Sequence, residues 1–185
     1  MFIQTESTPN PATLKFLPGK DVLGEGHAAD FPNDEAANRS PLARALFDVD
    51  GVTGVFFGAD FITITKGDVE WQHIKPALLG AIMQHFTSGA PILNAQDGGG
   101  EAGPAVAAED EEIVAQIKDL LDTRVRPVVA QDGGDITFHG FDQGIVYLNM
   151  VGACAGCPAS TQTLKQGVEK MLKHFVPEIE EVRAV

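Results

Sequence analysis

The chain has 185 residues, 44% of them hydrophobic, and a formal net charge of −13 from 13 Lys and Arg against 26 Asp and Glu. That length fits one large domain or two small ones, and the acid excess argues against nucleic-acid and anionic-membrane partners, which need a basic footprint. No apolar run approaches the ~20 residues of a membrane-spanning helix, and two cysteines are too few for a disulfide-stapled scaffold.

The first residues, Met1-Phe2-Ile3-Gln4-Thr5-Glu6, lack a basic stretch followed by an apolar one. The expectation is a cytosolic protein with reduced cysteines, and a mature organellar protein reads the same way. Thr13 to Leu17 is predicted as a strand between Pro11 and the Pro18-Gly19 turn, and residues 19–40 read as loop. A short helix is expected over Pro41 to Phe47, with Ser40 as its cap and proline at the first position. Val52 to Phe57 and Phe61 to Thr65 read as a hairpin around Gly58-Ala59-Asp60. Trp71, Ile74, Leu78, Ile82 and Phe86 then recur at helical spacing.

The composition changes at Asn94 to Ala108, a stretch with four glycines, a proline and Val106 as its one larger apolar residue. Such a segment reads as a flexible tether. The expected organisation is therefore a domain over 1–93, a linker over 94–108 and a second domain over 109–185. Gly98-Gly99-Gly100 is no phosphate loop, because no Gly-Lys-Ser/Thr follows.

In the second domain Ile113, Ile117, Leu120 and Leu121 predict an amphipathic helix opened by the acids Glu109 to Glu112, which suit a helix N-terminus. Gln131-Asp132-Gly133-Gly134 ends the helical region, and the two glycines read as turn geometry. Ile136 to Phe141 and Ile145 to Met150 form a predicted hairpin around Asp142-Gln143-Gly144. A loop over Gly152 to Cys157, a helix from Pro158 and a last strand within Ile179 to Val185 complete the order. The fold class is α+β, two small mixed domains, the second running helix, hairpin, helix, strand.

Both cysteines lie in one motif, Gly152-Ala153-Cys154-Ala155-Gly156-Cys157-Pro158. Two thiols three residues apart are placed to share a metal or to form a reversible disulfide. Cys157 is expected near the cap of the following helix, where the dipole favours thiolate. A tetrahedral zinc or an ordinary iron–sulfur cluster takes four ligands, and the chain offers two thiols. The five histidines, at 27, 73, 85, 139 and 174, form no His-x3–5-His pair. Two copies about a two-fold axis would supply four thiolates, whereas a dithiol oxidoreductase needs no further ligand. The redox alternative usually has an aromatic before its first cysteine in a βαβ setting; here Val151-Gly152-Ala153 precede Cys154 after a hairpin. A structural zinc shared by two chains is the third reading. His139 and His174 read as structural, and no hydrolase, zinc-protease or dinucleotide motif is present.

Asp132-Gly133-Gly134-Asp135, the hairpin, and the run Gly-Ala-Cys-Ala-Gly-Cys-Pro-Ala-Ser-Thr-Gln-Thr-Leu-Lys-Gln-Gly-Val-Glu over 152–169 closely resemble the C-terminal domain of Nfu/NifU-type iron–sulfur cluster proteins. Thr5-Glu-Ser-Thr-Pro-Asn-Pro-Ala-Thr-Leu-Lys-Phe-Leu-Pro-Gly19 is similar to the cysteine-free N-terminal domain of that family. The resemblance implies that Cys154 and Cys157 bind a cluster bridging two protomers, of the 4Fe-4S type with 2Fe-2S as the alternative. It implies a non-enzymatic carrier: a homodimer when loaded, taking clusters from upstream assembly proteins and delivering them to apo iron–sulfur clients. Ala159 stands where members often have Ser. The desulfurase-docking domain of the long nitrogen-fixation relatives is absent from this sequence, which favours late delivery over primary synthesis.

Overall fold

The computed structural model describes residues 1–94, 108–155 and 158–185, with backbone alone at 108 and 158–161. The chain divides between Gly100 and Glu101 into two compact units.

The first unit is a five-stranded antiparallel sheet with two helices. Strands β1 (Gln4–Ser7), β2 (Thr13–Leu17), β3 (Ala29–Phe31), β4 (Val52–Phe57) and β5 (Ile62–Lys66) lie in the order β1-β2-β5-β4-β3. Strand alternation sends Phe16, Val55, Phe57, Ile62 and Ile64 to one core. Helices α1 (Pro41–Phe47) and α2 (Trp71–Ser88) supply Leu42, Leu46, Ile74, Leu78 and Ile82 to the same core. Phe31 meets Phe57 edge-on at 5.0 Å, an arrangement favoured by the ring quadrupoles.

The expected cap is in place. Ser40 Oγ accepts from Ala43 N–H at 3.1 Å and also donates to the carbonyl of Ile92, tying the start of α1 to the segment beyond α2. Residues 19–40 are not all loop. They contain the edge strand β3 and a single 3-10 turn, Ala36–Arg39. Three residues ending at Phe31, just before Pro32, are too short to show an alternating pattern, and their pairing with β4 is a tertiary effect. Strand β1 likewise has no sequence pattern of its own: Gln-Thr-Glu-Ser is largely exposed and is held by pairing with β2.

The second unit runs helix, hairpin, helix, strand, as the sequence pattern implies. A 3-10 turn (Ala108–Asp110) leads into α3 (Glu111–Leu120), a π-helical turn (Leu121–Val125) and α4 (Arg126–Gln131). The hairpin is β6 (Gly134–Asp142) and β7 (Ile145–Gly152); α5 (Pro158–Phe175) then crosses to β8 (Glu181–Ala184), parallel to β7. The sheet order is β6-β7-β8.

The π-helical turn has a local cause. Pro127 has no N–H to offer the carbonyl of Thr123, and its ring crowds that position in a regular α-helix. Widening the turn absorbs the conflict. It also keeps Ile117, Leu121, Val125 and Val129, each four residues apart, in one core, against the drift that a 3.6-residue period imposes. Opposite them lie Val146, Leu148 and Met150 of β7, Val182 of β8, and Val168 and Leu172 of α5. The hairpin turn puts Gln143 at φ 47° and Gly144 at φ 81°. Two central residues in the left-handed region match the right-handed twist of the flanking strands.

Candidate cluster-binding loop

The loop that carries the cysteines grows out of the end of β7. Gly134 pairs with Gly152 and Asp135 with Val151, so the Asp132–Asp135 segment runs beside the approach to Cys154. Gly152 has φ +67°, a conformation that glycine adopts without strain. The chain then turns, with Ala155 N–H bonded to Gly152 O at 3.1 Å. Ala153 N–H donates to Gly133 O at 3.2 Å, pinning the loop to the glycine pair.

Cys154 is 4% exposed and belongs to the core of the second unit. A Cβ on Gly134 would stand 2.5 Å from Cys154 Sγ, 2.9 Å from Val151 O and 3.0 Å from Cys154 N. This corrects the reading of the glycine pair. Gly133, at φ 82°, serves the turn, but Gly134 lies in β6 and is small because the sulfur and the backbone at Val151 and Cys154 all sit against it.

The next residue anchors this corner. Asp135 is 5% exposed, and Arg126 bonds both its oxygens, Nε to Oδ1 at 2.9 Å and Nη2 to Oδ2 at 2.8 Å. Asp135 Oδ1 also accepts from Ile136 N–H at 2.8 Å, and Arg126 Nη1 reaches Asp122 Oδ1 at 3.1 Å. Hydrogen bonding to Asp135 is the chief reason the Arg126 guanidinium holds its proton more tightly than usual. The pair joins the start of α4 to β6 beside Gly134. Sequence reading missed it, because the partners are nine residues apart and on different elements. The signal available was an acid following two glycines in an otherwise apolar strand start.

Cys157 and Gly156 lie outside the described residues, so the expected placement of Cys157 at a helix cap does too. His139 is exposed at the β6 bulge between Phe138 and Gly140. His174 is exposed near the end of α5, its ring edge-on to Phe175 at 5.1 Å. His85 is buried in the first unit. Among the described residues no three His, Cys, Asp or Glu side chains gather into a metal-holding group.

Residues 3–89 match the family described as scaffold protein Nfu/NifU N terminal, and residues 117–183 match the NifU-like domain. The chain is 55% identical over 186 residues to "NFU1 iron-sulfur cluster scaffold homolog, mitochondrial" of Drosophila sechellia, an alignment covering 100% of this chain and 65% of the fly protein. The human protein of the same name is 52% identical over 187 residues, covering 100% of this chain and 72% of its own. The chain therefore spans less than two thirds of the fly relative's length. A solution structure of a NifU-like protein from Saccharomyces cerevisiae covers 51% of this chain and 86% of its own, at 28% identity and a TM-score of 0.44.

Proposed function

Because this chain belongs to the Nfu/NifU family of iron–sulfur cluster scaffold proteins, we propose that Cys154 and Cys157 hold a 4Fe-4S cluster between two protomers and pass it to apo-proteins. The observation that carries this reading is the sulfur inventory. Two thiols in one Cys-x-x-Cys motif are all the chain contains, half of what a cluster with four protein ligands requires. A second copy completes the set about a two-fold axis.

The net charge of −13 supports monomers in the absence of metal through self-repulsion. Cluster binding then couples to association, because the ligand set exists only in the pair. Such a site suits cargo that must leave. In each exchange one Fe–S bond to the scaffold breaks and one to the client forms. The client thiol gives up its proton, the released cysteine takes one, and the iron keeps its oxidation state. In this reading the first unit recruits partners, and residues 94–108 join it to the cluster-bearing domain and raise the partner's local concentration. The relatives' names carry the word mitochondrial, which supports a reducing compartment; the cytosol of a bacterium shares that property.

The test is anaerobic loading of wild-type protein and of the Cys154→Ala and Cys157→Ala variants. A brown wild type and colourless, monomeric variants support the reading. A colourless zinc-containing dimer would instead mark a structural site, since zinc is d10 and redox-silent. Iron-independent disulfide reductase activity would mark a dithiol oxidoreductase.

A further inference from the structure

We infer that Cys154 has two stations, a seat in the core against Gly134 and an outer position in which it ligates a cluster, and that the seat opposes cluster retention. This rests on the reading of Cys154 as a ligand. A sulfur shared with a second chain must reach the surface, yet Cys154 is 4% exposed. It packs among the same residues as Met150 and Leu148. The seat is specifically shaped. Gly134 leaves room for Sγ where a methyl would stand 2.5 Å away, the Ala153–Gly133 hydrogen bond holds the loop over it, and the Arg126–Asp135 pair fixes the next residue of β6.

In its seat the sulfur is held inside the core of the second unit. Loading draws the sulfur out of the core, and unloading lets it return. Apparent affinity falls by the fraction of empty chains whose sulfur is out of the seat, so a well-fitting seat makes the carrier readier to give its cargo away. Gly134 is in this sense a positioning residue: it lies against the sulfur in its seat and tunes how strongly the cluster is kept.

The test uses thiol labelling of metal-free protein in a Cys157→Ser background, so that Cys154 alone reports. Labelling of the folded chain is expected to be about tenfold or more slower than in urea. Gly134→Ala, which fills the seat and also presses on Val151 O and Cys154 N, is expected to raise the folded-state rate by about tenfold. In the full chain with both cysteines, loaded Gly134→Ala is expected to lose iron to a chelator severalfold more slowly than wild type. Equal labelling of the two folded proteins, or equal or faster iron loss from Gly134→Ala, overturns the inference. If circular dichroism shows that Gly134→Ala does not fold, the wild-type comparison decides: protection supports the seat, and parity with the unfolded chain overturns it. Full iron content in Cys154→Ala would instead sink the ligand reading. Loss of iron there, together with unchanged labelling in Gly134→Ala, sinks the seat alone.

Discussion

Arg126 grips both oxygens of the buried Asp135 carboxylate, so the first residue of α4 and the second residue of β6 are locked together one residue from Gly134. Removing the cation leaves a carboxylate that is 5% exposed without its charge partner. Arg126→Ala is expected to cost about 2–3 kcal/mol, below the fully buried range because the arginine keeps some contact with water. Arg126→Lys should recover only part of this, since an ammonium cannot make the paired contact. Urea denaturation of the two variants measures both, and an unchanged midpoint in Arg126→Ala would contradict the anchoring role.

Ser40 tests the first unit. Its hydroxyl caps α1 at Ala43 N–H and donates to the carbonyl of Ile92 from a fully buried position. Ser40→Ala is expected to destabilise the unit by about 1–2 kcal/mol. The change should appear as a lower urea midpoint reported by Trp71 fluorescence.

His85 sets a pH response. The imidazole is buried, and Nε2 has no hydrogen-bond partner among the described residues. Desolvation lowers its pKa below the ordinary 6.5, against smaller opposing effects from the backbone at Ala90 and Pro91. The folded state thus binds the proton more weakly than the unfolded state. Stability from this residue is present above pH 6.5 and is lost as the pH falls through that value toward the lowered folded-state pKa. His85→Leu should flatten that part of the profile. Melting curves of both proteins between pH 7.5 and pH 5 would show it, and parallel profiles would contradict the assignment.

Gln143 occupies the left-handed region at φ 47° in the hairpin turn before Gly144. Asn tolerates that conformation better than Gln. Gln143→Asn is expected to stabilise the second unit by about 0.5 kcal/mol, read from its thermal midpoint.

Most elements were legible because their causes are local. The Ser40–Pro41 helix start, the turn at Gly144 and the helical spacing of Ile113, Ile117, Leu120 and Leu121 are written in neighbouring residues. What stayed hidden depends on partners distant in sequence. Strands β1 and β3 exist because β2 and β4 offer them edges, and neither carries an alternating apolar pattern of its own. The motif pointed to Cys154, but not to its burial, because the glycine that makes room for it lies 20 residues earlier in the chain. Pro127 inside a helical pattern was a visible sign of disturbance. That the outcome is a widened turn rather than a break follows from the core that Leu121, Val125 and Val129 share.

The shared ligand sphere is tested most directly by weighing the loaded protein. After anaerobic reconstitution, native mass spectrometry with iron and sulfide analysis should find about four iron and four sulfide atoms per pair of chains, with metal-free protein running as a monomer. A single chain that carries a complete cluster by itself would contradict the account.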